Sequence, residues 1–380
     1  MARPVRLLEV VDSLQPGGME NVLVQVLSRY APEQVSADVV CLVRSGPFEE
    51  RLPSRTKVHV IGKKDGFDWK TVSSMRELIR RGGYDVVHTH HLGGLIFFSL
   101  ACGMRKRPVL IHSEHTIWTG SDLSRKKRWQ RRMLYPIASA VTTVSQQQVD
   151  QMQALGFRHR QMFPIVNGVD SARFCPAVDK VAVRRQLNLN PQARWLGMVA
   201  RFGPWKRHLD LIEAFEGMAQ DQSHVNLLLV GDGGPEKERV LARLETSRFR
   251  DRIHWAGFQL DPVPWYQAMD ALVVSSSNEG MPNAVLEAMS CGLPMMANDV
   301  CGVREIAEDE KHGWIMDLGS VPKLEAGLRL AAVAAEQELA SRGRAARLHV
   351  QNQFSMDATV GKYFDLFCQS IGKTNKTLPG

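Results

Sequence analysis

The feature that most constrains the fold is a repeated alternation of short apolar runs with longer helical patterns. In the first half, stretches such as Glu20–Tyr30 and Trp69–Arg81 separate RLLEVV, ADVVCLV, KVHVI, DVVHTH, VLIHSEH and AVTTVS. This rhythm is typical of βαβ units, in which parallel strands form a sheet covered by helices. After a connecting stretch at residues 171–193, the rhythm restarts with WLGMVA, NLLLVG, IHWAG, ALVVSSS and LPMMAND.

The chain length indicates how these units are grouped. Because 380 residues are too many for one ordinary core, two domains are expected. We predict an α/β protein of two Rossmann-like, doubly wound domains, residues 1–175 and 176–354, that face a central cleft. Residues 355–372 are predicted to form a helix that returns to the N-terminal domain, and residues 373–380 a flexible tail. Since such sheets bind ligands at the carboxyl ends of their strands, the cleft is the expected site.

Composition favours a cytoplasmic protein with a basic N-terminal half. Of the net charge of +8, residues 1–175 carry +10 and residues 176–380 carry −2, which indicates that the first half faces an anionic partner or surface. The six cysteines form no C-x-x-C pair, which favours a reducing compartment. The N-terminal run resembles a buried strand more than a signal peptide, and the apolar stretch Gly93–Met104 is too short to span a bilayer. We expect a cytoplasmic protein that can also bind peripherally to the inner face of the membrane.

Residues 278–294, NEGMPNAVLEAMSCGLP, place two glutamates around a predicted helix start. Pro282 suits the first helical position, so the N–H groups of the next three residues would be free to bind a phosphate; these are Asn283, Ala284 and Val285. Glu279 lies in the loop and Glu287 just inside the helix, an arrangement that suits hydroxyls on either side of a diphosphate, as in a nucleotide-sugar. The alternative is that Glu279 only favours the helix dipole and that Glu287 is a surface residue.

Two further loops contain groups suited to the same ligand. Arg201 ends the strand WLGMVA and Lys206 lies in the loop after it, so both can bind a diphosphate. Gly17 and Gly18 follow the first strand and open a helix, where the backbone can approach a ligand closely. Solvated loop charges and an ordinary strand-to-helix turn are the alternative interpretations.

Other nucleotide-fold and metal chemistries are less well supported. Gly231 and Gly233 match the start of G-x-G-x-x-G, but Glu236 occupies the third glycine position, which argues against a dinucleotide-dependent dehydrogenase. A Walker A loop and a G-x-S-x-G elbow are absent from the sequence. The nearby histidines lack the ordered spacing of metal ligands; they are His88, His90, His91 and His112.

Taken in order along nearly the whole chain, the motifs resemble the family-4 (group 1) retaining glycosyltransferases, which have the GT-B fold. The motifs are GGME, SEHT at 113–116, VTTVS at 141–145, NGVD at 167–170, VARFGPWK at 199–206, VGDGG at 230–234 and the E-x7-E segment. The resemblance implies transfer of a sugar, with retention, from a nucleoside-diphosphate-sugar to a glycan or lipid-linked acceptor. It also implies a role in cell-envelope polysaccharide, lipopolysaccharide or exopolysaccharide biosynthesis. A nucleotide-sugar epimerase of similar architecture and a non-catalytic nucleotide-sugar binder are the alternatives.

The resemblance also implies roles for individual residues. His115 would lie near the reacting sugar, unless it is a core histidine, and Glu279 would bind the donor sugar. Arg201 and Lys206 would bind the diphosphate and stabilise the leaving nucleotide, and Glu287 would bind the ribose. The other implied substrate-binding residues are Gly17, Gly18, Asn167, Gly231, Asp232, Gly280, Met281, Asn283, Ala284 and Val285.

The resemblance gives no reason to expect a metal or another cofactor. The sequence contains no D-x-D, so the two cations and the helix dipole would stabilise the charge of the leaving group. The family's usual Lys-Gly is replaced by Lys206-Arg207 in this chain. We expect this change to preserve the phosphate contact but to crowd the start of the following helix.

The strongest basic run is SRKKRWQRRMLY, residues 124–135, which interleaves six cations with aromatic and aliphatic side chains. A basic amphipathic helix with an aromatic anchor suits an anionic membrane surface, so we predict membrane contact through Arg125–Tyr135. A solvated basic face and a nucleic-acid site are the alternatives. Because no nucleic-acid recognition motif accompanies the charge, we expect no nucleic-acid partner.

Overall fold

The computed structural model describes residues 3–103, 108–300 and 302–376. The chain divides into two compact units: the first contains the residues up to Asn167 and those from Met356 onward, and the second contains Gly168–Ser355. The first division therefore falls at Asn167, whereas the sequence suggested 175. Each unit is built around one parallel sheet.

In the first unit, the described residues form a sheet of seven parallel strands in the order β3-β2-β1-β4-β5-β6-β7. The strand order reverses between β1 and β4, as in a doubly wound fold. The bounds are β1 Val5–Ser13, β2 Val35–Arg44, β3 Val58–Val60, β4 Val86–Thr89, β5 Val109–Glu114, β6 Ala140–Thr143 and β7 Met162–Pro164. Strand β7 was not predicted. It has only three residues and ends in proline, so no alternation of apolar and polar residues is visible in it.

In the second unit, the described residues form a sheet of six parallel strands in the order β10-β9-β8-β11-β12-β13. The bounds are β8 Arg194–Val199, β9 Val225–Val230, β10 Ile253–Trp255, β11 Ala271–Val274, β12 Met295–Asn298 and β13 Gly313–Met316. The order reverses between β8 and β11, and in doubly wound sheets ligands bind at the carboxyl edge beside such a switch point.

Helices cover the faces of both sheets. Their bounds in chain order are α1 Gly18–Arg29, α2 Trp69–Gly82, α3 Leu92–Cys102, α4 Arg125–Leu134, α5 Gln146–Ala154, α6 Lys180–Gln186, α7 His208–Met218, α8 Lys237–Glu245, α9 Val263–Ala268, α10 Asn283–Ser290, α11 Val303–Ile306, α12 Val321–Val333, α13 Glu336–Gln353 and α14 Met356–Lys376. Short 3-10 helices lie at Pro47–Arg51, Gly120–Leu123, Tyr135–Ile137, Pro204–Lys206 and Arg250–Arg252. None of the helices within the described residues is long and apolar enough to cross a membrane.

Helix α2 shows how local sequence sets these bounds. The Asp68 side chain accepts hydrogen bonds from the N–H groups of Lys70 (2.8 Å) and Thr71 (3.2 Å), which satisfies donors that the first turn leaves unpaired. The helix ends at Gly83, whose φ of 58° is a left-handed conformation that glycine adopts without steric cost. The cap residue and the terminal glycine therefore fix this helix before tertiary packing contributes.

Alternating side chains of β1 face two separate apolar clusters. Leu7 and Val11 pack into the cluster that includes α1, whereas Leu8 and Val10 pack into the cluster on the other face of the sheet. The C-terminal helix α14 belongs to the first cluster through the side chains of Met356, Tyr363, Leu366 and Phe367. The sheet of the first unit is therefore buried on both faces, which explains why its strands are continuous apolar runs.

Two regions that the sequence left irregular are helical. The predicted connection at residues 171–193 contains α6, and α14 continues to Lys376, beyond the predicted helix end at 372. Residues 377–380 of the predicted tail, and Met104 of the apolar stretch, lie outside the described residues.

Candidate active site

Three loops follow adjacent strands at the carboxyl edge of the second sheet. We name them the β8 loop (residues 201–207), the β9 loop (231–236) and the β11 loop (275–282). Because these strands are parallel neighbours, their loops lie at one edge. Most of the expected donor-binding residues lie here, namely Arg201, Lys206, Gly231, Asp232, Glu279, Gly280 and Met281.

Backbone hydrogen bonds join the β8 and β9 loops. The Phe202 N–H donates to the Gly233 carbonyl (2.9 Å), and the Phe202 carbonyl accepts from the Glu236 N–H (3.1 Å). Gly231 has a φ of 136°, and a Cβ there would lie 2.1 Å from the Ala200 carbonyl oxygen. Glycine at 231 is therefore required by the close approach of two backbone segments, whether or not a ligand is bound.

The β8 and β11 loops are joined at Lys206. The Ser275 hydroxyl donates to the Lys206 carbonyl (2.8 Å), and the Ser277 N–H donates to the Trp205 carbonyl (2.8 Å). The Lys206 ammonium forms an ion pair with the Glu279 carboxylate, and these side chains are only 22% and 11% exposed. Two residues that the sequence singled out separately are thus in direct contact.

The remaining polar residues of these loops differ in their surroundings. Arg201 is exposed, at the start of the β8 loop. Asp232 accepts hydrogen bonds from the Gly233 N–H (2.6 Å) and from the Lys237 ammonium (2.9 Å). Lys237 is a second lysine in this region that sequence analysis missed. The only signal for it was its position five residues after Asp232.

The start of α10 differs from the prediction in two ways. Pro282 precedes the helix as its cap residue instead of occupying the first helical position, and Asn283 begins the helix. The Val285 N–H donates to the Pro282 carbonyl at 2.9 Å. The prediction of a free N–H at Val285 was therefore wrong, because a tight first turn uses this donor. Asn283 and Ala284, both half-buried, are the other two residues of the predicted phosphate-binding group.

Glu287 is buried, which contradicts its alternative interpretation as a surface residue. Its carboxylate accepts a hydrogen bond from the Tyr266 hydroxyl at 2.8 Å. Tyr266 lies on α9 and is fully buried, and burial together with the charge of Glu287 raises the pKa of this phenol. The tyrosine thus fixes the position of the carboxylate, and no sequence pattern linked the two residues.

In the first unit, the glycine pair lies at the start of α1. Gly17 is the cap residue, in an extended conformation that any residue adopts (φ −164°), and Gly18 is exposed. A Cβ on Gly17 would lie 2.2 Å from Glu20 Oε2, so glycine at this position leaves space for the Glu20 carboxylate. Asn167, another expected substrate-binding residue, is buried at the end of this part of the first unit.

His115 follows β5 and contacts a second histidine. Its Nε2 lies 2.9 Å from His90 Nδ1, and His90 Nε2 lies 2.7 Å from Glu9 Oε2. Burial and then the neighbouring His90 and His91 lower the pKa of His115 well below its usual value, so the ring is neutral at physiological pH. From the sequence, His90 was a candidate only as a metal ligand, and Glu9 was not a candidate.

Among the described residues, two groups bring three potential metal ligands within 4.8 Å of one another. They are Glu9, His88 and His90, and Glu308, His312 and His349. In the first group, direct hydrogen bonds between the carboxylate and the two rings account for the short distances. In the second group, His312 Nδ1 accepts the Glu308 N–H (3.1 Å), which leaves the proton of the neutral ring on Nε2. Neither arrangement is the four-histidine set considered from the sequence.

The basic segment is only partly a surface feature. The Arg131 guanidinium is buried and donates to Glu114 Oε1 (2.9 Å), and the Tyr135 hydroxyl donates to the same oxygen (2.7 Å). Burial raises the pKa of Glu114, but His112 and Arg131 outweigh it and lower that pKa. The prediction that Arg131 and Tyr135 belong to a membrane-facing surface was therefore wrong, because a buried carboxylate requires both as partners.

Comparisons with known proteins agree with this architecture. The family model described as glycosyl transferases group 1 matches residues 179–347, and the model described as glycosyltransferase family 4 matches residues 16–173. The chain is 24% identical over 367 residues to the Escherichia coli UDP-Gal:alpha-D-GlcNAc-diphosphoundecaprenol alpha-1,3-galactosyltransferase, covering 93% of this chain and 94% of that protein. It is 24% identical over 306 residues to the N-acetyl-alpha-D-glucosaminyl L-malate synthase of Bacillus anthracis, covering 79% of each.

Solved structures show the same fold. The structure of Anabaena Alr3699/HepE in complex with UDP-glucose gives a TM-score of 0.79 at 22% identity, covering 98% of this chain and 100% of that chain. WaaG, a glycosyltransferase involved in lipopolysaccharide biosynthesis, gives a TM-score of 0.75 at 16% identity, covering 95% of this chain and 99% of that chain.

Two doubly wound units, as in these solved structures of glycosyltransferases, define the GT-B fold. The chain belongs to the group 1 glycosyltransferases, which confirms the predicted family and fold class. It is a glycosyltransferase that takes its sugar from a nucleotide-sugar.

Proposed function

We propose that this enzyme transfers a sugar, with retention of the anomeric configuration, from a UDP-sugar to a lipid-linked or glycan acceptor of the cell envelope. The observation that carries the proposal is the Lys206–Glu279 ion pair within the three joined loops. A partly buried cation beside a carboxylate suits a ligand in which a diphosphate adjoins a polyhydroxylated sugar.

Each proposed contact follows from the placement of one group. Lys206 and the exposed Arg201 bind the diphosphate and stabilise the charge that develops on the leaving nucleotide. Glu279, whose charge Lys206 already balances, accepts hydrogen bonds from sugar hydroxyls. Glu287, held by Tyr266, accepts those of the ribose. His115 of the first unit acts near the reacting sugar.

The identity of the relatives supports the uridine donor and the acceptor class. The Escherichia coli relative takes galactose from UDP-Gal and acts on a sugar carried by diphosphoundecaprenol. The Anabaena structure holds UDP-glucose. Both resemble this chain over more than nine-tenths of its length, which favours a UDP-sugar donor, and the Escherichia coli relative favours a lipid-linked acceptor.

Product analysis tests this proposal. The purified protein is incubated with labelled UDP-sugars and with N-acetylglucosamine joined through a diphosphate to a short alkyl chain. We expect a new α-linked disaccharide, identified by mass and by the coupling constant of its anomeric proton. A β-linked product would refute retention, and release of an isomerised sugar without transfer would indicate an epimerase.

Two lysine variants test the assignment of the donor site. Lys206→Ala should lower kcat by roughly 10²- to 10³-fold, since it removes a cation that stabilises the leaving group. Lys311→Ala is the matched control, because Lys311 also belongs to an ion pair of the second unit but lies on its surface. Equal kcat values in the two variants would refute the role of Lys206.

We further propose that α4 holds the enzyme at an anionic membrane surface. Trp129 and Met133 are 65% and 57% exposed, and Arg125, Lys126 and Arg132 are exposed on the same helix. Exposed apolar anchors next to cations suit the boundary between lipid headgroups and acyl chains. A lipid-linked acceptor would lie at that surface.

A further inference from the structure

A buried carboxylate is linked to His115 through one intervening histidine. Glu9 lies in the middle of β1, paired with His88 on β4, and is 2% exposed. Its Oε2 lies 3.0 Å from His88 Nδ1 and 2.7 Å from His90 Nε2. His90 Nδ1 in turn lies 2.9 Å from His115 Nε2.

The chemistry of these groups determines where each proton lies. Burial raises the pKa of Glu9, but its interactions with His88 and His90 outweigh burial and lower that pKa to about 2. An ionised carboxylate only accepts hydrogen bonds, so His88 Nδ1 and His90 Nε2 must both carry protons. Glu9 thus fixes the tautomers of both rings that contact it.

The tautomer of His90 determines which nitrogen of His115 carries a proton. Burial and the neighbouring His88 lower the pKa of His90 to about 4, so this ring is neutral and its Nδ1 is a lone-pair acceptor. The proton between His90 and His115 must therefore reside on His115 Nε2. In the neutral His115 ring, this leaves Nδ1 unprotonated.

The second ring nitrogen of His88 also has a hydrogen-bond partner. His88 Nε2 lies 2.7 Å from the Ser113 hydroxyl, which is 2.5 Å from the Thr142 hydroxyl. The ring of Tyr363 on α14 packs against His88 with centroids 5.3 Å apart. Apolar side chains of α1 line a small pocket together with Glu9 and the three histidines.

We infer that Glu9 is a positioning residue that acts through His90 to hold His115 in one tautomer and orientation, with Nδ1 as an acceptor for a hydroxyl group of the substrate. This inference rests on the proposed function, in which His115 acts near the reacting sugar. In serine proteases a buried carboxylate orients the catalytic imidazole directly; here the carboxylate of Glu9 would orient His115 through the ring of His90. Glu9 itself does not contact the substrate.

The tautomer of His115 is the direct test, because it can be measured without substrate. In protein labelled with ¹⁵N-histidine, long-range ¹H–¹⁵N spectra distinguish protonated from unprotonated ring nitrogens, and His115→Gln assigns the signal. We expect Nε2–H alone in the wild type. In Glu9→Met, which keeps the chain length but has no acceptor, His90 can donate from Nδ1, so His115 should shift to Nδ1–H or to a mixture. In Glu9→Gln, whose amide oxygen can still accept, the shift should be smaller.

Kinetics provide the second readout, with Asp38→Asn as the matched control. Asp38 is another buried carboxylate, on the neighbouring strand β2, and it accepts the Tyr84 hydroxyl at 2.7 Å. Glu9→Met should lower kcat about tenfold to a hundredfold, less than the roughly 10²–10⁴-fold that a positioned proton-transfer group contributes. Glu9→Gln should recover part of this loss, and Asp38→Asn should stay within about twofold of wild type even if its stability falls.

The possible results separate the inference from the function on which it rests. A wild-type tautomer of His115 in folded Glu9→Met, or equal kcat losses in Glu9→Met and Asp38→Asn, would overturn the inference and leave the sugar transfer intact. Absence of transfer by the wild type would refute the proposed function, and the spectra would still show whether Glu9 sets the tautomer. If Glu9→Met does not fold, His90→Phe removes the same link, and an unchanged His115 tautomer there would overturn the inference equally.

Discussion

Arg207 has a backbone conformation that favours glycine. Its φ of 59° and ψ of 44° are left-handed, at the residue that precedes α7 and where the family resemblance implies glycine. The side chain compensates, because the guanidinium donates to Asp210 (2.8 Å) and to the carbonyls of Leu318 (2.7 Å) and Ser275 (3.3 Å). The expected crowding at the helix start is thus resolved by contacts between the β8 loop and neighbouring segments.

Two substitutions at this position should differ in stability. Arg207→Ala and Arg207→Gly lose the same three contacts, but only alanine retains the left-handed backbone cost of about 1–2 kcal/mol. The greater conformational freedom of glycine in the unfolded chain destabilises Arg207→Gly and offsets part of this difference. We therefore expect the free energy of unfolding of Arg207→Ala to be about 1 kcal/mol lower than that of Arg207→Gly. Denaturant unfolding measures the difference, and equal stabilities would show that the backbone here is unstrained.

Helix α4 combines an internal ion pair with an exposed basic surface. Arg131 belongs to the interior through Glu114, whereas four other cations on or beside the exposed face are available to a leaflet, namely Arg125, Lys126, Arg128 and Arg132. Each can contribute about 1 kcal/mol next to anionic lipid. The contribution should fall with salt, since the Debye length shrinks from about 8 Å at physiological ionic strength to about 3 Å at 1 M.

We predict that the protein sediments with anionic vesicles at low salt and is released at high salt. Changing Arg125, Lys126, Arg128 and Arg132 of α4 to Gln should abolish sedimentation, while calorimetric affinity for UDP stays unchanged because the loops of the proposed donor site belong to the second unit. The matched control changes four exposed cations elsewhere on the first unit, Arg44, Lys57, Lys70 and Arg160, and should still sediment. Equal sedimentation of both quadruple variants would show that α4 has no special role.

For the molecule as a whole, buried neutral histidines predict sensitivity to acid. Burial and the positive charge of Lys206 lower the pKa of His208 to about 3 in the second unit, and burial and His88 lower that of His90 to about 4 in the first. Between these values and the ordinary value of 6.5, the unfolded chain binds protons that the folded chain does not. The free energy of unfolding therefore falls as the pH drops from 6.5 toward 4.

A histidine pair tests this pH dependence. His208→Gln should lose less stability than the wild type between pH 7 and pH 4.5, by an amount on the order of 2 kcal/mol. His224→Gln is the control, because His224 is exposed in the same unit and should leave the slope unchanged. Denaturant unfolding at several pH values checks both. Parallel pH profiles for the wild type and His208→Gln would contradict the assignment.

The sequence by itself determined the two sheets and the loops that carry the proposed donor site. Runs of Val, Ile and Leu mark strands buried on both faces, and helical periods between them require parallel pairing. Because all carboxyl ends of such strands lie at one edge, the sequence positions of Arg201, Lys206 and Glu279 after strands predict that they lie on loops of the same edge. The elements that escaped are β7 and β13, which have three and four residues, and α6, a seven-residue helix in the segment that was predicted to be a connection.

Only the tertiary structure decided which polar residues face inward and what they contact. Arg131 and Tyr135 belong to a basic amphipathic pattern, yet both side chains are buried because they donate hydrogen bonds to the buried Glu114 on β5. Glu9 reaches His90 and then His115 because β1, β4 and β5 are neighbours in the sheet, although about 80 residues separate Glu9 from His90 along the chain. The periodicity of a sequence indicates which apolar side chains are buried. A buried charge is stable only beside a partner, and the order of the strands determines which partners lie near it.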